Sequence, residues 1–254
     1  KLFDFVEPFA EYGFNRSHAA CYALIAYQTA YLKANWPSQF LAALLTADYG
    51  NTDRIAVEVT EAENHGIEVV PPDVNESFST FTVVKESLDT DQPRIRFGLR
   101  AIKNIGSNIV RTIIDERKKD GQYKNLEDFL RRVQTKNLNK KSLESLIKCG
   151  AMEVFGDRQT LLDNLESILI YAKNSQRERL NGQTNLFGLL PAEHSPKLRL
   201  NESEPVDKKT RLAWEKQLLG MYISEHPLEE FREQLESQAS TIREINSKPK
   251  KKVT

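Results

Sequence analysis

The spacing of apolar residues changes period twice along this chain, and that change limits the fold more than any other feature. Up to Gly66 the apolar residues recur at helical spacing. Leu2 to Glu11 reads as a first helix, closed by the Tyr12-Gly13 turn. Ser17 suits the N-cap of a long apolar helix running through Tyr22, Leu24, Tyr27, Tyr31 and Leu32 to Trp36. Pro37 opens a third helix with Phe40, Leu41, Leu44 and Leu45. Thr52 caps a fourth, whose Ile55, Val59 and Ala62 repeat before Gly66 ends it. Ile67 to Pro72 is extended, because Pro71 and Pro72 disfavour helix. Thr80 to Val84 and Arg94 to Gly98 then alternate with period two, as the strands of a small hairpin do. From Ile102 the helical period returns, with apolar stripes over Ser107 to Arg117, Leu126 to Val133, Lys141 to Cys149 and Arg158 to Ala172. The expected fold class is mainly α with a small β-hairpin, an α+β chain.

Beyond Ala172 the pattern fades. Residues 173–209 are polar and low in periodicity, which reads as a mobile linker. Two short helices, Arg211 to Leu219 and Pro227 to Leu235, are expected after it. The 254 residues have room for two domains, and 39% hydrophobic content with 11 Gly and 10 Pro excludes collagenous or wholly disordered chains. No apolar run is long enough for a bilayer. Cys21 and Cys149 lie in apolar, helix-like surroundings and read as buried thiols, not as a disulfide or zinc site. The patterns HExxH, CxxC, GxSxG and GxxxxGK[ST] do not occur, which disfavours a self-contained metalloprotease, zinc ribbon, hydrolase or P-loop NTPase. The chain starts at Lys1 inside an amphipathic pattern, without a signal peptide, and ends in Lys248-Pro-Lys-Lys-Lys-Val-Thr254. A piece of a larger cytoplasmic protein is the expectation.

Charge is distributed unevenly behind a net of zero. Residues 1–93 hold 5 Lys/Arg against 14 Asp/Glu, a net of −9, and residues 94–148 hold 15 against 6, a net of +9. The basic block is either a nucleic-acid surface or a solvated lysine-rich face.

Three motifs lie on this framework. In Tyr12-Gly-Phe-Asn-Arg-Ser-His-Ala-Ala20 a glycine turn brings Asn15, Arg16, Ser17 and His18 to the start of the long helix. Free N–H groups and the dipole favour an anion there, although Ser17 as a plain N-cap and His18 as an exposed first-turn residue are the simpler account of the pattern. In Gly98-Leu-Arg-Ala-Ile-Lys-Asn-Ile-Gly106, Ile102 and Ile105 bracket a two-residue turn. That turn lets Lys103, Asn104, Gly106, Ser107 and Asn108 meet a DNA phosphate, or is an ordinary glycine-capped helix pair. A similar unit is expected around Lys148 to Met152 and Phe155 to Arg158, so that two hairpins straddle a duplex. In Gln183-Thr-Asn-Leu-Phe187 the apolar Leu186 and Phe187 stand out in the polar tract, either as a peptide anchor for a partner's pocket or as linker packing. No catalytic constellation is present. Asp89 and Asp91 have a spacing suited to magnesium but read as hairpin-tip residues, and His65, His194 and His226 are isolated.

With these stretches in view, the chain resembles the alpha subunits of bacterial DNA polymerase III, the C-family replicative polymerases. The resemblance is carried by Tyr12 to Leu24, Tyr27 to Ala34, Asp48 to Arg54, Gly66-Ile-Glu-Val-Val-Pro-Pro-Asp-Val-Asn75, Phe97 to Lys103, Leu138 to Lys148 and Leu218 to Pro227. Asn104, where the family usually has glycine, and Glu225, where a small residue is usual, depart from the pattern.

The resemblance implies that residues 1–78 are the end of polymerase fingers, with Asn15, Arg16, Ser17 and His18 near the triphosphate of an incoming deoxynucleotide. It implies a β-hairpin connection at 79–100 and a tandem helix-hairpin-helix module at 101–172. There Lys103, Asn104, Gly106, Ser107, Asn108, Lys140, Lys141 and Arg158 would hold duplex or primer-template DNA. It makes 173–209 a linker whose Gln183, Leu186 and Phe187 dock on the β sliding clamp, and 210–254 helices leading into an OB-fold. The parent would be a cytoplasmic DNA-directed DNA polymerase working with other replisome subunits. Its catalytic aspartates and Mg2+ would lie outside this stretch, leaving the piece inactive alone. A non-catalytic DNA- and clamp-binding scaffold is the alternative.

Overall fold

The computed structural model describes residues 1–10, 16–85, 93–135, 138–180 and 198–231. It is mostly helical with one small sheet, the class expected from the apolar spacing. Two helices lead, α1 (Phe3–Ala10) and α2 (Arg16–Asn35). Arg16 opens α2, so Ser17 lies within its first turn instead of capping it. No residue of α2 is buried, although Tyr22, Leu24, Ile25, Tyr27 and Leu32 are all on it. Cys21 is accordingly exposed, contrary to the expectation of a buried thiol, whereas Cys149 is buried.

The core begins at α3 (Pro37–Ala47), where Pro37 pre-sets the first turn and Leu41, Ala42 and Leu45 face inward. It packs on α4 (Thr52–Asn64), which buries Ile55, Val59 and Ala62 at helical spacing. The cap of α4 is Asn51, one residue before the expected Thr52: its side-chain oxygen accepts from the Arg54 N–H.

The expected hairpin is present as β2 (Thr82–Lys85) and β3 (Pro93–Arg96), antiparallel with Val83 opposite Ile95. A third strand, β1 (Val69–Val70), pairs parallel with β3, giving the order β1-β3-β2. Gly98 follows the sheet, and here glycine is required by space. A Cβ at this position would lie 2.5 Å from the Thr80 carbonyl carbon and 2.8 Å from the Ser79 oxygen.

The remaining helices are α5 (Ser107–Asp120), α6 (Leu126–Arg132), α7 (Lys140–Lys148), α8 (Arg158–Asp163), α9 (Leu165–Leu180) and α10 (Lys208–Leu219). The single helix expected from Arg158 to Ala172 is broken at Asn164. Its side chain donates to Asn201 O at 2.8 Å and accepts from Asn201 N at 3.0 Å, while Ser203 N donates to Thr160 Oγ1. The stretch expected to be a mobile linker therefore starts as helix, up to Leu180, and its far end is pinned across α8. Of the helix expected from Pro227 to Leu235, the described part is a short 3-10 turn over Glu229–Phe231.

One hydrophobic core runs from Leu41 through Ile95, Phe97, Phe129 and Leu146 to Met221. The β1–β2 connection is locked to the helices by polar contacts. Arg117 of α5 donates to the carbonyls of Val74 and Ser77, both at 2.8 Å, and Asn75 exchanges hydrogen bonds with the Tyr123 backbone.

Candidate nucleic-acid interface

The turn between Ile102 and Gly106 is built from both sides. Ile102 and Ile105 are buried and anchor it, while Lys103 and Asn104 project outward. Asn104 holds a left-handed backbone with φ 68, a conformation asparagine tolerates better than most residues, so the expected glycine is not needed. Its amide donates to Ser145 Oγ of α7 at 3.2 Å, and the Lys103 N–H donates to Leu218 O at the end of α10. The turn is thus held between two helices that do not adjoin it in sequence.

Gly106 then caps α5 with extended backbone and no side-chain bond. Gly106, Ser107 and Asn108 are exposed, and among the described residues their N–H groups meet no internal acceptor. Three outward donors at the positive end of a helix, beside the Lys103 ammonium, form a cradle for a phosphate oxygen. No acidic residue lies in the first turn of α5 to compete.

The other expected contacts are placed differently. Lys140 and Lys141 are exposed in the first turn of α7, where a reciprocal Asn139–Ser142 capping box serves the helix end and Lys140 lies 3.6 Å from Glu166. Arg158 does not reach a DNA surface. It is 3% exposed, with its guanidinium on Glu215, on Glu153 and on the Lys148 carbonyl. The second expected hairpin is built differently. Cys149, Ala151 and Met152 are buried, Gly150 packs against Arg158, and the Asp157 carboxylate takes the Gln159 and Thr160 N–H groups. A helix start already holding a carboxylate repels a phosphate.

The basic block divides into an inner and an outer set. Arg96 bonds Glu76 and the Pro71 carbonyl; Arg132 binds Asp128 and the carbonyls of Glu116 and Gly121; Lys148 pairs with Glu144. Arg117 is buried, and that burial lowers its pKa from the usual value. Lys103, Arg111, Lys118, Lys124, Arg131 and Lys141 are exposed with no carboxylate partner among the described residues. The net of +9 therefore overstates the outward charge. Periodicity carried the signal for the inner set: Arg117 continues the stripe of Val110, Ile113 and Ile114, and Glu215 the stripe of Leu212, Leu218 and Leu219.

Arg16, Ser17 and His18 lie together, exposed, in the first turn of α2, with the His18 ring 4.3 Å from that of Tyr22. Asn15, the pair Asp89 and Asp91, the peptide Gln183, Leu186 and Phe187, and the tail from residue 232 lie outside the described residues. No group of three or more His, Cys, Asp or Glu suited to a metal ion occurs among the described residues. A separate acid pair lies by α4. Glu58 is buried against Asp48, and burial first, then the Asp48 carboxyl, push its pKa up to about 7. Glu225, at the turn where a small residue was expected, is held by Lys208 at 2.5 Å and Arg211 at 3.6 Å.

Comparison with known proteins agrees with this geometry. A family model described as a helix-hairpin-helix motif matches residues 66–161, which span the sheet, α5 to α7, the turn after α7 and the start of α8. Among curated relatives, DNA polymerase III subunit alpha of Thermus aquaticus is 44% identical over 98% of this chain and 20% of its own length. The Borreliella burgdorferi protein of the same name is 41% identical over 94% of the chain and 21% of its own length. That of Vibrio cholerae is 36% identical over 92% of the chain and 20% of its own length. The chain thus spans about a fifth of the relatives it matches. No helix among the described residues is long and apolar enough to cross a membrane.

Proposed function

From the premise that this chain belongs to the DNA polymerase III subunit alpha family, as a stretch about a fifth of its relatives' length, we propose that it grips duplex DNA without reading sequence. The observation that carries this is the Lys103–Asn104 turn, braced by Ser145 and Leu218, with the Gly106, Ser107 and Asn108 N–H groups turned outward. Such donors engage phosphates, which position a protein on DNA and carry no sequence information. Lys103 neutralises charge at the turn, and Lys140 and Lys141 do so at the start of α7. One hairpin, not a pair, makes the backbone contact.

Within a longer polymerase the proposal extends further. Arg16, Ser17 and His18, with Asn15, approach the triphosphate of the incoming deoxynucleotide. Gln183, Leu186 and Phe187 tether the protein to a sliding clamp, bringing it among replisome subunits. Nucleotidyl transfer uses Mg2+ held outside this stretch, so the chain alone is inactive and acts by binding.

Duplex affinity measured against salt tests the central claim. Each phosphate neutralised contributes a slope of about −0.9 in log K against log salt. Lys103→Ala is expected to weaken blunt duplexes of any sequence alike and to reduce that slope by about one. A flat salt dependence, or no change in the variant, removes the DNA-grip reading.

A further inference from the structure

A second cleft lies beside the hairpin, with no part in the contacts above. Its walls include Thr46, Tyr49, Ser79, Thr80, Phe81 and Arg100, and its volume is about 220 Å³. Tyr49 is 49% exposed, so its ring is in part open to solvent at the edge of the core. The Arg100 guanidinium carbon lies 5.5 Å from the centroid of that ring, and no carboxylate neutralises Arg100 among the described residues. The backbone beneath is rigid: Leu99 N and Arg100 N donate to Phe78 O and Ser79 O, and Gly98 lies directly on Thr80. Tyr49 also borders the groove that runs to Lys103 and Gly106. Arg100 is three residues from Lys103, a reach of at most about 10 Å.

We infer that the Tyr49–Arg100 cleft holds one unpaired nucleotide of a DNA strand whose duplex part lies on the hairpin. The inference rests on the duplex-gripping reading above. An exposed aromatic face is a sequence-tolerant platform for a base, and an arginine above it adds cation–π attraction and a phosphate partner. Two stacked layers need about 7 Å. The guanidinium therefore lifts by about 1.5 Å to admit a base between itself and Tyr49, a movement a long, unpaired side chain makes at little cost. Ser79 and Thr80 line the cleft and bring polar groups to it.

The test uses the full 254-residue chain and two DNA probes, a blunt duplex and the same duplex with a short single-stranded extension carrying 2-aminopurine. The parent protein is expected to bind the extended probe about tenfold more tightly than the blunt one and to quench the 2-aminopurine. Tyr49→Ala and Arg100→Ala are expected to abolish that increment and leave blunt-duplex binding unchanged, while Tyr49→Phe keeps the increment and the quenching. Circular dichroism confirms that each variant is folded. Equal affinity for both probes in the parent, or an increment that survives Tyr49→Ala, overturns the inference. The hairpin reading is judged separately, on the blunt duplex and Lys103→Ala, and a parent protein that binds neither probe overturns both.

Discussion

The guanidinium of Arg158 and the carboxylate of Glu215 meet at 3.2 Å while 3% and 1% exposed, which joins α8 to α10 across the polar stretch between them. The second Glu215 oxygen accepts from the N–H groups of Ile223 and Ser224 and from the Ser224 hydroxyl. One carboxylate therefore organises both the return of the chain to the core and the turn that follows α10.

Removing Glu215 leaves the buried Arg158 guanidinium with Glu153 and the Lys148 carbonyl, and removing Arg158 leaves the buried Glu215 carboxylate without a counter-charge. Glu215→Ala is expected to cost about 3–5 kcal/mol in urea unfolding. Arg158→Met combined with Glu215→Leu is expected to cost much less than the sum of the single changes, because no charge is left unpaired. In folded Arg158→Lys protein the salt dependence of DNA binding should match the parent, since Arg158 does not face a ligand.

Gly98→Ala should destabilise through backbone overlap alone. The new methyl falls 2.5 Å from a carbonyl carbon, and a carbonyl carbon cannot rotate away as a side chain can. A loss of about 1–3 kcal/mol is expected, seen as a lower melting temperature. Gly106→Ala, where the added carbon meets open space, serves as the comparison and should cost only the loss of a glycine N-cap, at most about 1 kcal/mol.

Glu58 gives stability a pH dependence of determined sign. Its pKa is raised from the ordinary value of 4.5 to about 7 in the folded chain. The folded state therefore binds the proton more tightly than the unfolded state. The contribution is complete below the unfolded value and is lost as pH rises to about 7 and beyond. Glu58→Gln stays neutral, so its stability relative to the parent should improve by on the order of 1–3 kcal/mol between pH 4.5 and pH 8. Chemical denaturation of both proteins at these two pH values checks it.

The two cysteines should react in separate phases. Cys21 is exposed on α2, whereas Cys149 is buried and its thiol is pushed up to about 12 by that burial. A thiol reagent at neutral pH should label one equivalent quickly in the native protein and the second only on unfolding. The Cys21→Ser variant should lack the fast phase.

The sequence by itself determined the order and type of most of the elements. Helical and alternating apolar spacing are local properties, so α3, α5, α6 and the β2–β3 hairpin were legible. So was the Lys103–Asn104 turn, because two isoleucines and a glycine around a short polar step define it without distant partners. The tertiary structure decided what the charges and caps do. Arg158 reads as a surface cation until Glu215, far along the chain, meets it in the interior. Asn164 reads as mid-helix until Asn201 takes its amide and the helix breaks there. The second hairpin has the right glycines, but the Asp157 carboxylate already holds the donors a phosphate would need. For Arg158 and Asn164 the deciding partner is distant in sequence. Desolvation makes that partner obligatory, because a buried charge or amide must be paired, and local spacing carries no record of which distant group will pair with it.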